Sequence, residues 1–259
     1  ASGNSSLYAN TTGYSNTATG FETLNFNTTG YSNTANGSNA LRSNGTGNNN
    51  SAIGNNSLLS NTSGYNNTAT GSSAMYSNTT GLFNTAMGVS SLYSNVSGSG
   101  NVAVGLESLY TSTTGVYNTA VGLFSLHNNT NGSYNIAHGA YSLQSNTSGT
   151  YNTANGYQCL NSNTTGNNNT SFGYESLFSN TVGSGNVTIG YQSAYSETGS
   201  NRLYIENSNS TTPLIYGEFD TDLARINGNF RVNSPTVAGA DLQVKNSNLF
   251  IHNDDANLN

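Results

Sequence analysis

Gly71-Ser72-Ser73-Ala74-Met75-Tyr76-Ser77-Asn78-Thr79-Thr80-Gly81-Leu82-Phe83-Asn84-Thr85-Ala86-Met87 is seventeen residues long, and at Gly88 the pattern begins again. Glycines recur at that step from Gly20 to Gly190, and a second series runs from Gly13 to Gly183. No insertion interrupts either series, and an internal period of this kind decides the fold before any local propensity does. With the first series as position 1, position 5 is Leu24, Leu41, Leu58, Met75, Leu92, Leu109, Leu126, Leu143, Leu160 and Leu177. Position 16 is Ala from Ala18 to Ala154, then Ser171 and Thr188. Position 14 is Asn throughout, beginning Asn16, Asn33, Asn50, Asn67, Asn84 and Asn101.

A helical repeat needs apolar residues three and four apart over several turns, and the paired glycines with their Asn/Thr clusters destroy that spacing. Short apolar runs such as Asn101-Val102-Ala103-Val104, flanked by glycines where positive φ is needed, suit short strands instead. The repeat therefore predicts an all-β chain, a parallel β-solenoid (β-roll) with one coil per seventeen residues. Strands about 4.8 Å apart would make eleven coils a rod roughly 50 Å long. Equivalent residues would then stack: a Leu ladder and an Ala ladder inside, and an Asn ladder passing amide hydrogen bonds between coils. Asn in a turn is also expected to bond its own backbone.

Composition bounds the function. Charged residues make up 6% of the chain, against about 25% for an ordinary soluble domain. Asn/Ser/Gly-rich chains of low hydrophobicity are often disordered or aggregating, but 17 Tyr, 9 Phe and a strict period oppose that. A net charge of −6, with only Arg42, Arg202, Arg225, Arg231 and Lys245 cationic, excludes nucleic-acid binding by phosphate neutralisation. No apolar run is long enough for a membrane span, and no charged-then-apolar stretch of the signal-peptide kind occurs in these residues. The start at Ala1, inside a repeat, is expected to be that of a fragment. Cys159 occupies a position held elsewhere by Ser, Ala or Thr, which reads as a small side chain in a tight interior slot.

One Leu and one Ala per coil bury little apolar area against about 1–2 kcal/mol of backbone entropy per residue. Position 17, with Ile53, Met87, Val104, Val121, Phe172 and Ile189, offers more, positions 2 and 6 add Leu106, Leu123, Tyr76, Tyr93, Tyr110 and Phe178, and packing these against other chains predicts an oligomer.

Asn84-Thr85-Ala86-Met87-Gly88 followed by Ser91-Leu92, and Asn186-Val187-Thr188-Ile189-Gly190, resemble the head repeat of YadA-type trimeric autotransporter adhesins. They are similar too to arrays preceding the shafts of bacterial and phage tail-fibre-domain proteins. The resemblance covers roughly residues 3–195, although the repeat is seventeen residues against the fourteen of that head. It implies a left-handed roll that trimerises side by side, and attachment outside the cell, on a cell surface or a phage or injection-particle tail fibre, to a host or cell-surface receptor, glycan or protein. It also implies a non-enzymatic role without cofactor.

Charge rises sharply at Glu197, so residues 1–196 are expected to form the solenoid head, 197–234 a β connector, and 235–259 the start of a further, truncated β shaft. Strands are expected at 202–206, 213–216, 223–226, 229–232, 242–244 and 249–251. No metal site is expected: His127, His138 and His252 fall at unrelated positions, and the acidic groups Glu218, Asp220, Asp222 and Asp254-Asp255 read as solvated turns. Glu22, Glu107 and Glu175 share position 3 but stand four or five coils apart, too far to cooperate in glycan cleavage. The Asn-x-Ser/Thr sequons follow from the repeat itself.

Tyrosine ladders are the candidate binding surface: Tyr76, Tyr93 and Tyr110 at position 6, Tyr117, Tyr134 and Tyr151 at position 13, Tyr157, Tyr174 and Tyr191 at position 2. A ring with a hydroxyl suits sugar or protein recognition, although packing between protomers or capping of the thin interior is the more common use of such ladders. Two functions remain open, a trimeric fibre or adhesin, and an ice-binding solenoid using Thr ranks at positions 9 and 15 and the Asn ladders.

Overall fold

The structure, a computed structural model, describes residues 1–228. The strands expected at 229–232, 242–244 and 249–251, the shaft at 235–259, His252 and Asp254-Asp255 lie outside the described residues.

The chain is an all-β parallel β-solenoid of seventeen-residue coils, with no helix among the described residues. Each coil contributes one three-residue strand at positions 15 to 17, from β1 (Thr17–Thr19) through β6 (Val102–Val104) to β11 (Val187–Ile189). Successive strands pair in parallel one coil apart, Ala18 with Ala35 and Ala35 with Ala52. The sheet continues into β12 (Arg202–Ile205), where Val187 pairs with Leu203, so this coil is one residue shorter. Beyond it β13 (Ile215–Glu218) and β14 (Leu223–Ile226) add antiparallel, giving a sheet of fourteen strands in chain order among the described residues. Pro213 and Leu214, expected within a strand, precede β13; Pro has no N–H for the ladder.

The other fourteen positions of each coil form turns, yet they are stitched to neighbouring coils as densely as a strand. Leu24 N–H donates to the Ala40 carbonyl at 3.0 Å and Phe26 N–H to Arg42 at 2.9 Å. In the opposite direction Gly37 N–H donates to Thr19 at 2.9 Å and Ser32 N–H to Tyr14 at 3.0 Å. Backbone polar groups thus meet partners although little of the coil is extended.

Three non-glycine positions per coil bend the chain through left-handed conformations. Position 3 (Glu22 at φ 49°), position 5 (Leu24 at 50°, Leu109 at 52°) and position 13 (Tyr134 at 60°) all have positive φ. Such a conformation costs a residue with a Cβ about 1–3 kcal/mol. Leucine at position 5 offsets this by complete burial, worth about 1.5–3 kcal/mol. At position 13 Gly100 and Gly185 meet the same requirement without strain.

The two glycine series serve different ends. Gly71 at φ 134° stands for the first, whose backbone lies in a region open to glycine alone. The second series does not have positive φ. It is required by close approach: a Cβ on Gly64 would lie 2.6 Å from the Gly81 carbonyl oxygen and 2.8 Å from Asn78 Nδ2.

Inside, the position-5 and position-16 side chains form one continuous hydrophobic cluster. Position 4 fills the remaining slot with small groups such as Ser57, Ser91 and Cys159, all fully buried. Ile53, Met87, Phe172 and Ile189 at position 17 point outward and are exposed.

Candidate functional site

Two asparagine ladders run through the interior, where one is expected. At position 14 the Asn16 carboxamide oxygen accepts from the Asn33 backbone N–H at 2.9 Å and from Asn33 Nδ2 at 3.1 Å. Asn16 Nδ2 in turn donates to the carbonyl of Gly30 in the next coil at 2.8 Å. The expected bond to its own turn is therefore replaced by one to the next coil. The second ladder, at position 8, is the one that makes a local bond: Asn27 Nδ2 donates to Gly30 O at 3.0 Å and to Asn10 Oδ1 at 2.7 Å. Its members from Asn27 to Asn180 are fully buried apart from one exception in kind, Ser112, which replaces Asn. There the ladder breaks, leaving Asn95 Oδ1 and Ser112 Oγ buried without partners. It ends at Asn180, whose Oδ1 also lacks a partner, because Glu197 holds the next position-8 place. The regular Asn at position 8 was visible in the sequence; its burial had no separate signal there.

The position-9 threonines are committed to structure. Thr62 Oγ1 donates to the Thr79 carbonyl at 3.0 Å and Thr79 Oγ1 to Val96 at 2.9 Å.

The tyrosines do stack coil on coil. Tyr76, Tyr93 and Tyr110 lie 5.0 and 5.1 Å apart, and His127 extends the stack at 5.2 Å. These rings are half-buried, not the exposed ladder expected at position 6. Tyr117, Tyr134 and Tyr151 stack at 5.4 and 5.0 Å, and Tyr157, Tyr174 and Tyr191 at 5.2 and 5.3 Å, all six exposed. Interplanar angles of 6° to 23° in these two ladders mean that neighbouring rings cover one another's faces. Edges and hydroxyls remain for solvent, and an open face is available only where a stack ends. Phe178 and Tyr195, outside the expected tyrosine ladders, also stack, at 5.0 Å and 3°.

The carboxylates of position 3 each find a partner: Glu22 pairs with Arg42, Glu107 lies 3.1 Å from His127 Nε2, and Glu175 accepts from Gln192 at 2.7 Å. Arg202 lies 3.6 Å from Glu218 and 3.5 Å from Asp220. Hydroxyl donation by Tyr216 at 2.7 Å, then by Thr221, holds the Glu218 carboxyl below its usual range. Burial, then its bond to Glu197 at 2.6 Å, pushes the Tyr204 hydroxyl far up. Burial likewise pushes the Cys159 thiol up to about 11, leaving it protonated and inert at neutral pH. Among the described residues no group of His, Cys, Asp and Glu could hold a metal ion, and no helix is long and apolar enough to cross a membrane.

The described surface is thus a set of regular ladders closed off near Glu197, where polar and aromatic side chains converge. Neither the known family models, nor the curated proteins, nor the solved structures contain a match to this chain.

Proposed function

We propose that the chain is a segment of a homotrimeric, extracellular fibre or adhesin, on a cell surface or on a phage or injection-particle tail, that attaches to a glycan or protein receptor. The observation that supports this reading is the outer face of the parallel sheet. Positions 15 and 17 stand out from it, and between β1 and β11 the only titratable side chain among them is His138. Apolar residues such as Ile53, Met87, Ile136, Phe172 and Ile189 are exposed along it. A partly apolar face of this length, carrying no Asp, Glu, Lys or Arg, is suited to cover by further copies of the same chain. The coils then act as a left-handed spacer whose ladders and terminal structures meet a receptor, with no catalytic role and no cofactor.

Light scattering after size exclusion should give three times the 26.9 kDa chain mass, and Ile189→Asp should lower it. A monomer at micromolar concentration would reject the trimer. Labelled chain should bind cells or immobilised glycans saturably.

A second reading, ice binding, draws on the exposed Thr17, Thr19, Thr34 and Thr68 on the same sheet face. Asn36 and Ile53 interrupt these ranks, the position-9 hydroxyls are spent on carbonyls, and the Asn ladders are interior. Thermal hysteresis in a cooled solution tests it, and its absence removes it.

A further inference from the structure

Along the ladders, stacking consumes the ring faces; where a stack ends, one face of its last ring is left over. Tyr195 is the last aromatic rung at position 6. Phe178 lies against one side of its ring, and no aromatic ring among the described residues lies against the other. Tyr195 lines a cavity of about 170 Å³ together with Glu197, Thr198, Tyr204, Asn209 and Thr211. The end of the last coil and the turn after it, Tyr204 of β12, and the loop between β12 and β13 supply these walls. Glu197 is fixed in place: its Oε2 accepts from the Tyr204 hydroxyl at 2.6 Å and its Oε1 from the Gly199 N–H at 2.6 Å. Each carboxylate oxygen keeps a further lone pair for a ligand. Thr198, Asn209 and Thr211 are exposed at the rim, and their side chains make no hydrogen bond among the described residues.

We infer that this cavity binds a neutral pyranose, the terminal sugar of a glycan, with a C–H face on Tyr195 and vicinal hydroxyls on Glu197. This deepens the attachment reading and rests on it for its biological purpose. An aromatic face, a fixed acceptor and a rim of hydroxyls and an amide together match a ring that is apolar on one side and a polyol at its edge. Its volume lies below the roughly 300–1,000 Å³ of drug-sized sites, which restricts it to one ring. Among the described residues no Lys or Arg lines the cavity and Glu197 carries the only charge in it, so acidic sugars such as sialic acid are disfavoured.

The test is saturation-transfer NMR and calorimetry on the full chain, with methyl glycosides of glucose, galactose and mannose, the two common N-acetylhexosamines, and sialic acid. At least one neutral sugar should bind, with a dissociation constant on the order of 1 mM for a single ring, and sialic acid should not. Tyr195→Ala and Glu197→Gln should each weaken that binding at least tenfold. Because Glu197 also holds Gly199 and Tyr204, the exposed rim variants Asn209→Ala and Thr211→Ala should weaken it severalfold with an unchanged melting curve; Tyr151→Ala should have no effect. Silence with every neutral sugar, or binding unchanged in both Tyr195→Ala and the rim variants, overturns the proposal. Cell attachment without sugar binding would sink this site and leave the attachment reading standing. Sugar binding without attachment to any cell or surface would do the reverse.

Discussion

Ser112→Asn should stabilise the protein, because it repairs the one break within the position-8 ladder. On either side of the break the amide contacts are short: Asn95 Nδ2 donates to Asn78 Oδ1 at 2.7 Å, and Asn146 Nδ2 to Asn129 Oδ1 at 2.8 Å. Between them Asn95 Oδ1 and Ser112 Oγ are buried and unpartnered, and Asn129 Nδ2 bonds only the Gly132 carbonyl, at 2.9 Å. An unpartnered buried polar group costs about 1–3 kcal/mol, and a completed hydrogen bond adds about 1 kcal/mol net. An amide at 112 would donate to Asn95 and to the Gly115 carbonyl, and would accept from Asn129. Against the cost of ordering one more side chain, the net gain should be about 2 kcal/mol. At about 2–4 °C per kcal/mol for a chain of this size, the thermal midpoint should rise by about 4–8 °C. Circular dichroism during heating and urea unfolding measures it, with Asn129→Ser as the opposite change, widening the existing gap by one rung through loss of the Asn146–Asn129 contact and lowering the midpoint by a similar amount. An unchanged or lower midpoint for Ser112→Asn would refute the reasoning.

Gly64→Ala should cost about 3 kcal/mol or more through overlap with the Gly81 carbonyl, whereas Gly45→Ala, whose added carbon meets nothing nearer than 3.4 Å, should change stability by less than about 1 kcal/mol; paired urea titrations compare them. Tyr134→Ala removes stacking on both sides and should destabilise by about 1–3 kcal/mol, read from the same titration. Cys159 should resist aromatic disulfide reagents at pH 8 in the native state and react fully in denaturant, which absorbance follows directly. The Glu218 carboxyl, lowered on folding, contributes stability above the ordinary carboxylate range that is lost as pH falls through its folded value; carbon-detected NMR should find its midpoint below that of a free glutamate, and Tyr216→Phe should raise it.

The sequence disclosed what repeats identically. Leu at 5, Ala at 16 and Asn at 14 are stacked because one invariant step places them on one line. It concealed what depends on backbone conformation: leucine and tyrosine are poor markers of positive φ, so the bends at positions 5 and 13 had no residue signature. Likewise Gly64 and Gly71 look alike in sequence, though one answers to a neighbouring carbonyl and the other to its own φ. In the candidate site the periodic tyrosines were legible, but the Tyr195 cavity was not, since Glu197, Tyr204 and Thr211 meet only where the period fails.

Because nearly every coil hands the same backbone and position-14 amide bonds to the next, this protein can change its reach in whole units without redesign. Duplicating or deleting one complete coil would carry its own bends, amides and carbonyl partners with it, moving the terminal cavity by about 4.8 Å. A single inserted residue would instead shift leucine out of the interior and a bulky side chain into it. Selection for length and selection for the terminal site can therefore proceed separately.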